Sequence, residues 1–142
     1  TTIERRGVAL VPGTGATRHA FVALDDVAGI VAAAAAAPED GVNFVENLGG
    51  PEILSWNEVV AIFAKVLGRP LRIIRTPSKV YRVLADLLEP LSPQAGNLMA
   101  MSWLGADCGT EFDGRPLAER FGVRLTTADA FLRAKAALPP EA

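Results

Sequence analysis

Apolar and polar positions along this chain follow two rhythms, one near two residues and one near 3.6, and the rhythm changes several times. Val8 to Val11 is apolar and β-leaning, and Pro12-Gly13-Thr14-Gly15 breaks it as a turn. Phe21-Val22-Ala23-Leu24 is apolar on both faces, which suits a strand covered on both sides of a parallel sheet. Asp25-Asp26 then offers a capping carboxylate, with Asp26 assigned as the structural cap. Val27, Ile30, Val31 and Ala34 fall on one face of a helix that Pro38 stops. Strand into capped helix is half of a βαβ unit. Val42, Phe44 and Leu48 alternate with polar neighbours and predict a further strand, ended by Gly49-Gly50-Pro51.

The clearest element follows. Ser55 with Glu58 three residues on forms a capping box, so Ser55 is the second structural cap. Trp56, Val59, Val60, Phe63 and Leu67 make one helical stripe, and Gly68 and Pro70 close the helix. Leu71 to Arg75 predicts another strand. Thr76-Pro77 opens a helix with proline at its first position, buried through Val80, Leu84, Leu87 and Leu88. Ser92-Pro93 repeats that start for a helix to Trp103, and Leu104 to Arg115 reads as loop. Pro116 to Phe121 is a short helix ended by Gly122. Thr126 or Thr127 caps a last helix through Phe131 and Ala134, stopped by Pro139-Pro140. No repeat or low-complexity linker divides the chain.

Composition narrows the function classes. The 142 residues suit one folded domain, half of them hydrophobic, and the net charge is −2. No field exists to draw nucleic acid or an anionic membrane, and neither is expected as a partner. The longest apolar run, Val27 to Ala37, is too short to span a bilayer. One cysteine, Cys108, forms no internal disulfide. It and the one histidine, His19, build no multi-histidine metal site, so no metal is expected. The default is a reducing, cytoplasmic setting. The chain opens on Thr rather than Met, and it is expected to be a piece of something longer.

Candidate chemistry is sparse. Gly13-Thr14-Gly15-Ala16-Thr17-Arg18 begins like a dinucleotide fingerprint, but that loop works by leading into a helix amino terminus. Here a strand follows, and Arg18 stands where the third glycine belongs, so the segment reads as an ordinary turn. A tyrosine with a lysine four residues on would form a proton relay. The one tyrosine, Tyr81, has Ala85 at that spacing, with Lys79 on its other side. A Cys108–His19 nucleophilic pair requires the two to meet in space, which nothing in the sequence demands. Asp25 and Asp26 are explained by capping, and Asp107, Glu111 and Asp113 miss the register of a calcium loop. Arg69, Arg72, Arg75 and Lys79 form a basic cluster: a solvated face, or a contact for phosphate or carboxylate. No self-sufficient active site emerges, and no residue is assigned a catalytic role.

Three stretches carry a resemblance. His19-Ala20-Phe21-Val22-Ala23-Leu24-Asp25-Asp26-Val27-Ala28 resembles the strand-to-helix segment in the carboxy-terminal half of extended and atypical short-chain dehydrogenases, including NmrA-like proteins. The stretch from Leu48 through Glu58, with Leu67-Gly68-Arg69-Pro70, looks like their next segment. Phe121-Gly122-Val123 before Thr126-Thr127 is similar to their closing elements. The resemblance implies an α/β chain comprising the last strands and helices of a Rossmann-type sheet plus a small, mostly helical substrate-binding lobe. An upstream half would hold NAD or NADP and the Tyr–Lys pair, and no cofactor is expected on these residues alone. It implies an oxidoreductase or epimerase acting on a small molecule, or a non-catalytic dinucleotide sensor of NmrA type. A stand-alone interaction module is the remaining alternative. His19 stands where sugar-nucleotide members carry arginine. Substrate-contacting candidates are His19, Phe21, Arg72, Arg75 and Tyr81. A bare sheet edge beside Phe21 to Leu24 predicts that the chain self-associates.

Overall fold

The computed structural model describes residues 7–37 and 45–137. It divides into two compact units: one from Thr1–Arg18 with Ser55–Gly109, the other from His19–Leu54 with Thr110–Glu141. Within each, short strands and longer helices give a mixed α/β chain with a small parallel sheet.

The first unit is built on strands β1 (Val8–Pro12) and β4 (Arg72–Thr76), which pair in parallel with Val8 opposite Arg72, Leu10 opposite Ile74 and Pro12 opposite Thr76. Parallel neighbours need a crossover, and helix α2 (Trp56–Leu67) lies on that crossover and packs on β1. Ala9 and Val11 point to the α2 side and form the core with Val60, flanked by Trp56, Leu71 and Ile73. Helix α2 forms where its sequence demands. Ser55 Oγ accepts the Glu58 N–H at 3.3 Å, and Glu58 Oε2 accepts the Ser55 N–H at 2.7 Å. Gly68 ends the helix in the left-handed conformation at φ 63°.

The other side of the strand pair faces an antiparallel helical hairpin, α3 (Ser78–Leu88) and α4 (Pro93–Asp107), with α4 touching β1. Ser92 caps α4 through the Ala95 N–H at 3.4 Å. Trp103 ties the hairpin together: Arg82 lies 5.2 Å over its ring, and its indole N–H donates to Asp107 Oδ2 at 2.9 Å. This side is filled less completely than the α2 side, and Leu10 remains 64% exposed although Val11 beside it is 0% exposed.

The second unit holds helix α1 (Leu24–Ala36), the short pair β2 (Arg18–Ala20) and β3 (Ile53–Ser55) at its borders, and helices α5 (Arg115–Arg120) and α6 (Ala128–Ala137). Ile30 of α1 is buried. Thr127 Oγ1 accepts the Ala130 N–H at 3.3 Å, which makes Thr127 the cap of α6. Glu52 Oε2 accepts the neighbouring Ala128 N–H at 2.9 Å.

Several expectations require correction. Phe21 to Ala23 forms no strand and Leu24 already starts α1; the ladder falls three residues earlier, where Ala20 N–H bonds Thr110 O at 2.6 Å. The sheet edge expected beside Phe21 to Leu24 is therefore absent there. Asp26 does not cap α1, whose cap position is Ala23 with no side-chain hydrogen bond. One turn inside, the 6%-exposed Asp26 carboxylate accepts the Thr126 N–H at 2.6 Å and the Thr126 hydroxyl at 2.8 Å. A buried carboxylate requires such donors, and the start of α6 supplies them. Val31 is exposed rather than core-facing. Pro77 stands at the cap of α3, one residue before its first turn. Helix α4 runs to Asp107 instead of ending at Trp103, because Ala106 is buried and Trp103 reaches forward to Asp107. Of the strand expected over Val42 to Leu48, Val42 to Phe44 lie outside the described residues, and Val45 to Leu48 are not extended into a ladder.

Candidate functional site

The concavity worth weighing lies within the first unit, between the less filled face of β1 and the helical hairpin. It has a volume of about 380 Å³ and is lined by Leu10, Pro12, Trp56, Tyr81, Met101, Ser102 and Gly105. Ligand pockets start at about 300 Å³ and are mostly apolar with a few polar groups. Each lining residue is placed by its element. Strand alternation turns Leu10 and Pro12 away from the core that holds Ala9 and Val11. Trp56 is the first residue of α2, set by the capping box immediately before it. Met101, Ser102 and Gly105 share one face of α4 at the spacing of three and four residues. Met101, 66% exposed, forms an open rim with Leu10.

Among the lining residues Tyr81 and Ser102 carry hydroxyls, and Trp56 carries an indole N–H that is itself buried. Ser102 donates its hydrogen to Leu98 O at 2.8 Å, one turn back, and so presents lone pairs. Tyr81 forms no hydrogen bond with another described residue, and its O–H is left to donate. No acid, base or cation lines the recess. Its lining therefore holds no charged proton relay.

The sequence candidates are distributed between the units. Tyr81 lines the recess. Arg72 is exposed on β4, on the sheet face that carries Leu10 and Ile74. Arg75 sits on the α2 side instead, where its Nε donates to Thr14 O at 3.4 Å and its Nη2 to Asn57 Oδ1 at 3.3 Å. It buttresses the Gly13–Gly15 turn. His19 and Phe21 belong to the second unit and meet each other, edge to face at 5.8 Å between centroids, while His19 Nδ1 lies 3.2 Å from Thr110 Oγ1. Cys108 is exposed at the end of α4. Among the described residues no group of three or more His, Cys, Asp or Glu could hold a metal, and no helix is long and apolar enough to cross a membrane.

The glycine turn is held by bonds from its neighbours. Its carbonyls are turned toward donors: Asn57 Nδ2 bonds Thr14 O at 3.2 Å and Asn57 N–H bonds Gly15 O at 3.0 Å. Gly13 N–H is spent on Thr76 O at 2.8 Å. Gly15 is required there, since φ is +71° and a Cβ would lie 2.5 Å from Val11 Cγ1. Gly13 N–H and the Thr14 and Gly15 carbonyls are thus engaged within the first unit.

Of the lining residues only Tyr81 is a candidate from the sequence; Leu10, Pro12, Trp56, Met101, Ser102 and Gly105 are not, because each is an ordinary strand or helix position. On α3, Val80 and Leu87, expected on the buried side, are exposed in one row with Val83, and Tyr81, Leu84 and Leu88 form the more covered row. A helix with two apolar rows has two surfaces to cover.

The described residues form a mixed α/β chain with a small parallel sheet and several helices. The chain is similar to an NADPH-dependent quinone oxidoreductase from Escherichia coli, with a TM-score of 0.67 and 17% identity, covering 95% of this chain and 48% of that one. Against the same enzyme complexed with NADPH the TM-score is 0.66 at 18% identity, covering 89% of this chain and 45% of the other. The chain thus spans about half the length of the enzyme it resembles. No family model matches the sequence, and no curated protein matches it.

Proposed function

We propose that these residues form the substrate-side portion of an NAD(P)-dependent oxidoreductase of the short-chain-dehydrogenase type, inactive alone. The 380 Å³ recess receives a small organic substrate, and residues outside this chain hold the nucleotide. The observation that carries this reading is the pairing of a formed, uncharged recess with a glycine turn whose carbonyls and Gly13 N–H are already engaged. Both features favour substrate here and the nucleotide phosphates elsewhere. The likeness to an NADPH-dependent enzyme over nearly this whole chain, and only half of that enzyme, supports the same division. That comparison supports an oxidoreductase, and epimerase has no separate support.

Calorimetric titration of NADPH into the 142-residue chain tests the division. No saturable heat is expected. Saturable binding would place the nucleotide site inside these residues and refute the proposal. In the chain extended by its upstream coding sequence, NADPH binding with turnover of a carbonyl substrate is expected. Binding without turnover of any acceptor would favour a sensor instead.

A further inference from the structure

Resting on that reading of the recess, we infer that Tyr81 is its specificity-determining residue. It selects flat, uncharged ring compounds that carry a hydrogen-bond acceptor, aryl ketones being the simplest class. Volume sets the size. About 380 Å³ corresponds to roughly a dozen waters at the density of the liquid, the scale of a one- or two-ring molecule. Shape follows from Trp56 and Tyr81, two aromatic side chains in one lining, with Leu10, Pro12 and Met101 supplying further apolar surface.

Polarity decides the rest. The Ser102 hydrogen is committed to Leu98 O, so Ser102 offers only lone pairs. Tyr81, with no described hydrogen-bond partner, is the donor left open to the recess, the Trp56 indole N–H being buried. A ketone oxygen matches that donor. A bare hydrocarbon ring leaves the hydroxyl with water or with nothing, at the cost of a lost hydrogen bond. A carboxylate would meet the Ser102 lone pairs and no cation among the lining residues, since Arg75 is held on the α2 side by Thr14 and Asn57 and Arg72 of the Leu10 face stands outside the lining. An anion is therefore excluded on desolvation alone.

The test uses three probes of one size on the full chain: tetralone, tetralin, which lacks its carbonyl, and naphthoate. Shifts of the Met101 methyl resonance report occupancy of the recess rim. Tetralone should bind about five- to tenfold more tightly than tetralin, the factor of one neutral hydrogen bond, and naphthoate should not saturate. Tyr81→Phe should bring tetralone down to the affinity of tetralin while leaving tetralin unchanged. Gly105→Leu should abolish both, because a side chain at Gly105 has open space before it, and helix content should persist.

Equal binding of tetralone and tetralin by the parent, or a ketone preference that survives Tyr81→Phe, overturns the inference. So does tetralone binding that survives Gly105→Leu. If tetralone behaves as stated while NADPH also binds this chain, the proposed division fails and the assignment of Tyr81 stands. If neither ring compound binds and NADPH does not, the assignment fails alone.

Discussion

The sharpest test of the first unit is one chemical change, glycine to alanine, made at two positions with opposite expected signs. At Gly15 the backbone has φ +71°, and a Cβ would lie 2.5 Å from Val11 Cγ1 and 2.7 Å from Asn57 Oδ1. Left-handed backbone costs an ordinary residue about 1–2 kcal/mol. Forcing a methyl against packed neighbours costs about 1–3 kcal/mol more. Val11 cannot yield cheaply, being 0% exposed in the core with Ala9 and Val60. Asn57 is held by Thr14 and Arg75. The sum is a loss of about 2–5 kcal/mol, a large share of the ~5–15 kcal/mol that holds a typical domain folded. At Gly105, inside α4, a Cβ meets nothing within 4 Å. Alanine there should stabilise by about 0.5–1 kcal/mol through helix propensity.

Urea unfolding followed by tryptophan fluorescence and by circular dichroism reads both changes. Gly15→Ala should lower the midpoint at unchanged slope, and Gly105→Ala should raise it. If Gly15→Ala falls within about 0.5 kcal/mol of the parent, the turn is not fixed as described. If both variants shift in the same direction, the contrast between a closed turn and an open helix face is wrong.

Three further outcomes are expected. Ser55→Ala should cost about 1 kcal/mol by removing the capping box of α2. Hydrogen bonds from the Ser55 backbone and hydroxyl hold the Glu58 carboxyl below the usual carboxylate range, so its contribution is complete above the unfolded value and is lost as pH falls through the folded one. Carboxyl NMR should show Glu58 titrating higher in Ser55→Ala; an unmoved titration would contradict that cause. Asp26→Ala removes the acceptor of the Thr126 N–H and hydroxyl and should cost about 1.5–3 kcal/mol, with α6 amides exchanging faster while those of α2 do not. Sedimentation should show concentration-dependent self-association, because Val83, Leu87 and Leu98 are exposed together with Leu10 and Ile74 of the strand pair. Lysine at Val83 and Leu87 should weaken it, and a clean monomer at high concentration would count against it.

What the sequence disclosed, and what it hid, divides by distance along the chain. Helix α2 was legible to within a residue because Ser55, Glu58, its apolar stripe and Gly68 are all local. The pair β2–β3 was not, since each strand has three residues, too few for a period, and Ala20 finds its carbonyl at Thr110. Asp26 was misassigned for the same reason: next to a helix start it reads as a cap, and its partner, Thr126, lies one hundred residues on. Arg75 was legible as a cation, but its partners at Thr14 and Asn57 made it a buttress of the turn. Tyr81 was named as a substrate-contacting candidate, and the recess it lines required Leu10, Trp56 and Met101 from three other elements.

Whether the recess is a site or merely loose packing turns on what filling it does. Strand alternation gives β1 one face with Ala9 and Val11 and another with Leu10, and the first is packed while the second opens on the hairpin. If the opening were only imperfect packing, Gly105→Leu would bring a stability gain and no loss. A binding site predicts both together: a gain of about 1 kcal/mol from replacing a helical glycine and covering apolar lining, and loss of ring binding. That opposition marks a surface kept open at a cost in stability. A Gly105→Leu chain that melts higher and still binds tetralone would show that the ring lies elsewhere. One that melts lower would show that the space before Gly105 is already filled, and the first unit would lose its cavity.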